Sequence, residues 1–189
     1  MKESIEPALM HRVSSDAAKV RELMRRLGEE ARGPGRVYLV GGASAVIKGW
    51  RESTVDVDLK LDPEPPGVFE AIARAKDALD INVELAAPDE FIPALPDWQA
   101  RSHFITRHGA VGFFHYDFYA QALAKIERGH ELDRRDVFAM YDLRLIDPDR
   151  LAPFLESIEP GLLRYPAIDR QVFRAKVDAV SAALRAADR

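Results

Sequence analysis

The stretch that decides the fold is Val37-Tyr38-Leu39-Val40-Gly41-Gly42-Ala43-Ser44-Ala45, followed closely by Ser53-Thr54-Val55-Asp56-Val57-Asp58-Leu59-Lys60-Leu61. Residues 37–40 are apolar and rich in β-formers, which predicts a short buried strand. Two glycines end this strand, and residues 43–50 predict a helix directly after it. Residues 53–61 alternate between apolar and polar, which predicts a second strand with Asp56 and Asp58 together on its polar face.

A strand that leads through two glycines into a helix start is suited to binding an anion. Glycine places no side chain between the backbone and a ligand, and the first amides of a helix carry partial positive charge. Ser44 adds a hydroxyl donor close by. A Gly-Gly pair alone is more often a tight turn, so its interpretation depends on the residues around it.

The two aspartates supply the second half of the pattern. Asp56 and Asp58 project from one strand face a few ångströms apart, and two like charges held together favour a bound cation. Oxygen ligands favour Mg²⁺ or Mn²⁺. The alternative is a solvated strand face, the usual environment of carboxylates. A phosphate cradle beside a carboxylate metal site is the machinery of phosphoryl or nucleotidyl transfer.

Composition narrows the classes of protein that fit. The 189 residues carry 27 Lys and Arg against 31 Asp and Glu, a net charge of −4 that argues against a non-specific nucleic-acid coat. The absence of cysteine excludes disulfides, thiolate zinc sites and cysteine nucleophiles. The sequence has neither a signal-type apolar region nor an uncharged run of roughly 18 residues, which predicts a cytoplasmic protein without a membrane partner.

The order of the remaining segments predicts an α+β protein with a small mixed β-sheet and flanking helices. We expect one domain over residues 1–145 and a docked C-terminal helical extension over residues 146–189. A helix is predicted from Ser14 to Leu27, capped by Ser14 or Ser15, and a hairpin over residues 103–115. The oligomeric state is not encoded in any pattern of the sequence.

These elements resemble nucleotidyltransferases of the DNA polymerase beta-like superfamily, in the minimal and AbiEii-like toxin branch. The resemblance covers roughly residues 37–137. It consists of a Gly-Gly helix start, an Arg-x-x-Thr approach, an Asp-x-Asp strand, and a lysine on one helix followed by Asp-x-x-Asp on the next. The matching positions are Gly41, Gly42, Ser44, Arg51, Thr54, Asp56, Asp58, Lys125, Asp133 and Asp136.

The superfamily pattern also includes a third acidic residue on a neighbouring strand. Glu84 is the best match in this chain, although the superfamily more often has aspartate there. Asp117 is the rival position.

The resemblance implies a metal-dependent enzyme that moves a nucleoside monophosphate from an NTP such as ATP to a hydroxyl of RNA, for example tRNA, or of protein. Asp56, Asp58 and Glu84 would be the catalytic residues and the metal ligands. The nucleotide would be bound by Gly41, Gly42, Ser44, Arg51, Thr54, Lys125 and Arg128. Asp133 and Asp136 would orient the cationic side chains of Lys125 and Arg128.

By the same analogy, the chain would be the toxin-like member of a toxin–antitoxin or phage-defence system, with an antitoxin as partner. The alternative is a catalytically weakened nucleotide-binding sensor or partner protein of the same fold.

Two further features of the sequence have more than one interpretation. The aromatic run Phe113–Tyr119 predicts either core packing or a base-stacking platform, and the basic positions Lys19, Arg21, Arg25 and Arg26 are either solvated or a surface for tRNA.

Overall fold

A computed structural model describes residues 13–187 and shows the α+β protein with a small mixed sheet that the sequence predicts. The strands are β1 Ser15–Asp16, β2 Gly35–Val40, β3 Ser53–Thr54, β4 Asp56–Leu61, β5 Asn82–Leu85, β6 His103–His108 and β7 Val111–His115. The helices are α1 Ala17–Glu30, α2 Gly41–Lys48, α3 Val68–Leu79, α4 Trp98–Arg101, α5 Phe118–Arg128, α6 Glu131–Asp142, α7 Pro148–Ile158 and α8 Arg170–Ala187. Two 3₁₀ turns cover Pro88–Glu90 and Glu159–Arg164.

Strand β2 lies at the centre of a five-stranded sheet with the order β5-β4-β2-β7-β6. It runs antiparallel to β4 and parallel to β7, while β5 runs parallel to β4. The hairpin β6–β7 closes the far side through a turn in which Gly109 has a positive φ of 55°. A central strand is covered on both faces, which is why residues 37–40 are uninterruptedly apolar.

Two hydrophobic clusters cover the two faces of the sheet. Helices α1 and α3 pack on one face, against Leu39 of β2 and the inward residues Val57 and Leu59 of β4. Helix α5 and the helices after it pack on the other face, against Tyr38 and Val40. Since side chains alternate along a strand, the polar face of β4 is directed towards the α5 side of the sheet.

The C-terminal helices belong to the α5 side of the molecule. Leu151 and Leu155 of α7 and Phe173 and Val177 of α8 are buried in the same hydrophobic cluster as α5. The division of the chain at residue 145 stays a prediction. Within residues 13–187, every helix is too short or too polar to cross a bilayer.

Several element boundaries differ from the sequence predictions, for example α2, which covers Gly41–Lys48 instead of residues 43–50, and two differences have a clear structural cause. Helix α1 begins at Ala17 because the Asp16 side chain accepts from the amide of Lys19 at 2.9 Å, while Ser15 pairs with β3. The single strand predicted over residues 53–61 is interrupted at Val55, which is 36% exposed. The interruption occurs because β3 pairs with β1, whereas β4 pairs with β2 and β5.

The structure also bears on the two open features of the sequence. In the aromatic run, Phe113, Tyr116 and Phe118 are at most 1% exposed, so these rings are core and not a stacking platform. On the basic face of α1, Arg25 and Arg26 both pair with Glu22 of the same helix. This pairing neutralises part of the charge that an RNA backbone would need.

Candidate functional site

The junction of β2 and α2 meets the polar face of β4. Val40 pairs with Asp58 across the two antiparallel strands, and Gly41 follows with a positive φ of 51°. A Cβ atom on Gly41 would lie 3.2 Å from the Asp58 Oδ2 atom. Glycine is therefore favoured at this position by its backbone conformation, and a methyl group there would crowd the carboxylate.

Gly42 has a different function from Gly41. A Cβ atom there would lie 2.0 Å from Thr54 Oγ1 and 2.7 Å from Thr54 Cβ. Thr54 is itself fixed, because its hydroxyl donates to the Asp56 carbonyl oxygen at 2.9 Å. The second glycine thus lets the start of α2 pack directly on the residue that leads into the aspartate strand.

We expect Gly42→Ala to lower the free energy of unfolding by about 1–3 kcal/mol, because the new methyl group overpacks the contact with Thr54. Chemical denaturation followed by circular dichroism measures the change. Gly33→Ala is the matched control, since its Cβ would meet only the Pro66 ring, at 3.2 Å. Equal losses in the two variants would contradict the assigned role of Gly42.

The carboxylates of the cleft are linked by an amide. Asn82 Nδ2 donates to Asp56 Oδ1 at 2.7 Å and to Glu84 Oε1 at 2.9 Å. The register places Asn82 opposite Asp56, and Glu84 opposite Asp58. Glu84 lies exposed on the edge strand β5. Among residues 13–187, no three His, Asp or Glu side chains are gathered closely enough to hold a metal ion.

The third carboxylate therefore does not join Asp56 and Asp58 in this arrangement, and its metal-ligand role stays a prediction. Sequence reasoning gave Asn82 no role, although its position two residues before Glu84 on the same strand face was a readable signal. The rival Asp117 is excluded from the cleft. Its side chain accepts from Arg101 at 2.9 and 2.7 Å and from the amide of Tyr119, and so caps α5.

Asp58 carries the clearest electrostatic signal of the cleft. Its pKa is raised from the ordinary 3.8 to about 6, chiefly by burial and then by repulsion from Asp56 and Glu84. Lys125 and Arg128 oppose this shift. Ionisation of Asp58 beside two other carboxylates therefore costs free energy, and a bound cation would offset that cost. The donor atoms are carboxylate oxygens, which fit a hard divalent cation such as Mg²⁺ or Mn²⁺.

A buried ion cluster adjoins the cleft. The Lys125 ammonium donates to Asp136 Oδ2 at 2.6 Å and lies 3.3 Å from Asp133 Oδ1. Asp136 also accepts from Arg51 Nε at 2.9 Å and from Trp50 Nε1 at 3.0 Å. Asp136 and Asp133 thus both contact the Lys125 ammonium, and their orienting role stays a prediction. Arg51 faces Asp136, so the structure does not place it at the nucleotide.

Arg128 completes the cationic side of the cleft. Its Nε donates to Asp133 Oδ2 at 2.7 Å, while half of the side chain remains exposed. Arg128 can therefore keep its ion pair and still face a ligand.

The structure places Ser44 and Thr54, which are expected to bind the nucleotide, inside the fold. Ser44 is fully buried, and its hydroxyl donates to the Leu39 carbonyl oxygen at 2.9 Å. The same hydroxyl oxygen lies 3.0 Å from Nδ1 of His115, a ring whose pKa burial lowers to about 3. Thr54 is buried against Gly42. Both hydroxyls are used inside the fold, so neither reaches the cleft.

A cavity of about 140 Å³ joins these parts. Asp58, Gly41, Lys125 and Arg128 all contribute to its lining. Gln121 of α5, which the sequence analysis missed, lines it as well; its Oε1 accepts from the Gly41 amide at 2.8 Å, and its Nε2 donates to the Tyr116 carbonyl. The Gly41 amide expected to bind phosphate is thus paired with Gln121. A lone amide side chain on a largely apolar helix was the signal that could have revealed it.

Three comparisons with known proteins bear on this site. Residues 16–173 match the family described as "Nucleotidyltransferase of unknown function (DUF6036)". The chain is also 30% identical over 151 residues to the large ribosomal subunit protein uL18 of Aeropyrum pernix. That similarity covers 77% of this chain and 62% of the length of the ribosomal protein. No solved structure is significantly similar to the chain.

Proposed function

Because the chain belongs to this family of nucleotidyltransferases, we propose that it transfers a nucleoside monophosphate from an NTP to a hydroxyl group, with Mg²⁺ or Mn²⁺ as cofactor. The observation that carries the proposal is the cavity in which Asp58 lies beside Gly41, Lys125 and Arg128. It brings a carboxylate for a cation and two cationic side chains for a triphosphate to one place.

The reaction forms a bond between the acceptor oxygen and the α-phosphorus and breaks the bond to the bridging oxygen, so that pyrophosphate leaves. Asp56 and Asp58 would hold the cation, which supplies charge neutralisation at the phosphate oxygens and acidifies the acceptor hydroxyl. Glu84 is the proposed base for the proton of that hydroxyl.

The two cationic side chains, Lys125 and Arg128, have different roles in the proposed site. Lys125 is nearly buried and already fixed by Asp136, so it would meet a phosphate oxygen without first losing conformational freedom. Arg128 is half exposed and would contact the part of the triphosphate nearest to solvent. Both would neutralise charge on the leaving pyrophosphate.

The proposed acceptor is a hydroxyl of RNA, such as tRNA, or of protein, and the proposed context is a toxin-like protein with an antitoxin partner or a role in phage defence. The support for this context is the resemblance over residues 37–137. A ribosomal role does not follow from the similarity to uL18. The net charge of −4 and the ion pairs of Arg25 and Arg26 with Glu22 offer little of the free positive charge that binding to a large RNA uses.

The test is transfer of label from each α-³²P-labelled NTP to RNA or to protein, with and without Mg²⁺. We expect metal-dependent labelling of one acceptor class, and we expect Asp56→Asn to abolish it. Asp77→Asn, an exposed aspartate on α3, is the matched control and should retain full activity. Labelling that survives in Asp56→Asn would overturn the proposed role of the aspartate pair.

A nucleotide sensor of the same fold is the second candidate. The observation that favours it is the bridging of Asp56 and Glu84 by Asn82, which leaves the third carboxylate outside the aspartate pair. A sensor would bind Mg²⁺ and NTP in calorimetry and would label neither RNA nor protein with any of the four nucleotides.

A further inference from the structure

We propose that Phe91 is a stacking platform for the nucleobase of the bound nucleotide. The inference rests on the proposed function and deepens it, because it assigns the recognition of the base to a residue that has no part in phosphate or metal binding.

The cavity has two chemically different sides. Gly41, Asp58, Lys125 and Arg128 supply the charged side, whereas Ala86, Ala87, Pro88 and Phe91 form an apolar wall after β5. Ala124 of α5 also contributes to the lining, and α5 packs beside the 3₁₀ turn at Pro88–Glu90. A triphosphate requires the charged side, so the apolar wall remains for a flat, weakly polar group.

The size of the cavity indicates which part of a nucleotide it encloses. Pockets that enclose a whole drug-sized ligand have volumes of roughly 300–1,000 Å³. The cavity holds about 140 Å³, so it can enclose only a fragment of a bound nucleotide. A base is the fragment that matches an apolar wall carrying an aromatic ring.

Phe91 is an exposed aromatic residue that lines the cavity. It is 53% exposed, although the residue after it, Ile92, is 1% exposed. Its backbone is nevertheless fixed, because the amides of Phe91 and Ile92 both donate to the Pro88 carbonyl, at 3.0 and 2.9 Å. The backbone of Phe91 is therefore fixed beside the cavity, while its ring lies outside the core.

The turn that carries Phe91 is also stabilised from within. Glu90 Oε1 accepts from the Ala87 amide at 3.1 Å, and Pro88 is buried at the start of the 3₁₀ turn. A rigid turn loses little backbone freedom when the ring that it carries stacks on a ligand. This arrangement suits recognition of any base, since every base has an aromatic face.

The test is calorimetric titration of the wild-type chain, Phe91→Ala and Phe91→Trp with each of the four Mg-NTPs and with Mg-tripolyphosphate. We expect Phe91→Ala to bind every NTP about tenfold or more weakly, within the range of measured stacking effects. Tripolyphosphate has no base, so its affinity should not change. Phe69→Ala is the matched control, because Phe69 is 48% exposed on α3 and does not line the cavity.

Phe91→Trp keeps an aromatic face and supplies a second readout should the alanine variant fold poorly. Its fluorescence should be quenched by an NTP and not by tripolyphosphate. Wild-type affinity for NTPs in Phe91→Ala, or equal loss of NTP and tripolyphosphate binding, would overturn the platform. Nucleotide binding that depends on Phe91 without any transfer would refute the proposed enzyme and leave the platform standing.

Discussion

Asp58→Asn is expected to unfold at a higher temperature than the wild-type chain at pH 8 and to lose nucleotide transfer by about 100-fold or more. The stability gain should be about 2 kcal/mol, because the variant removes a charge whose pKa the fold raises to about 6. The activity loss follows from removing one proposed metal ligand, since metal stabilisation of the transition state is worth several kcal/mol.

The pH dependence of this effect has a defined sign. The folded chain holds the Asp58 proton more tightly than the unfolded chain, so the contribution of Asp58 to stability is complete below pH 4 and is lost as the pH rises to about 6. The two proteins should therefore be similar in stability at pH 4 and differ most at pH 7–8. Denaturation in EDTA across this range measures the difference.

Added Mg²⁺ gives an internal check on the same variant. A cation that binds the folded wild-type chain stabilises it by mass action, and the stability difference from Asp58→Asn should shrink. Asp77→Asn again serves as the control for loss of one negative charge. An Asp58→Asn protein that is less stable than wild type at pH 8 would show that the carboxylate is favourably paired.

Asp136→Ala is expected to lower the free energy of unfolding by about 3–5 kcal/mol, the usual cost of breaking a buried ion pair from one side. The Asp136 side chain is 2% exposed and accepts from Lys125, Arg51 and Trp50. Its loss leaves the buried Lys125 ammonium with Asp133 alone, at 3.3 Å. Urea denaturation at pH 7 measures the change.

Glu131→Ala is the matched control on the same helix. Its ion pair with Arg135 is 3.2 Å long, with side chains 78% and 72% exposed, so its removal should cost well under 1 kcal/mol. If both variants lost the same stability, the buried contacts of Asp136 would contribute no more than an exposed ion pair. The cluster around Lys125 would then not position that lysine.

Much of the fold could be predicted because β2 and β4 carry strong local patterns. The apolar run at residues 37–40 and the alternation of residues 56–61 were sufficient for the strands and for the shared face of Asp56 and Asp58. The break at Val55 could not be predicted, since it depends on the pairing of β3 with β1. Such a pairing joins segments about 40 residues apart and leaves no local signal.

The candidate site was predicted less completely, for a related reason. Spacing placed Asp58, Gly41, Lys125 and Arg128 on the correct elements, and the structure lines one cavity with them. Spacing did not show which polar groups satisfy each other inside the fold. Ser44 binds Leu39, and Gln121 accepts from Gly41, because buried polar groups require partners whose positions only the packed structure defines.

The two sides of the cleft are held in place by different contacts. Ion pairs that reach from α5 into α6 hold Lys125 and Arg128, whereas the 3₁₀ turn before Phe91 is held by hydrogen bonds within residues 87–92 and by the Lys60–Asp89 ion pair. These two sets of contacts share no residue, so a substitution within residues 87–92 leaves the ion pairs of Lys125 and Arg128 intact. The apolar wall is thus free to diverge between related sequences without displacing the two cationic side chains.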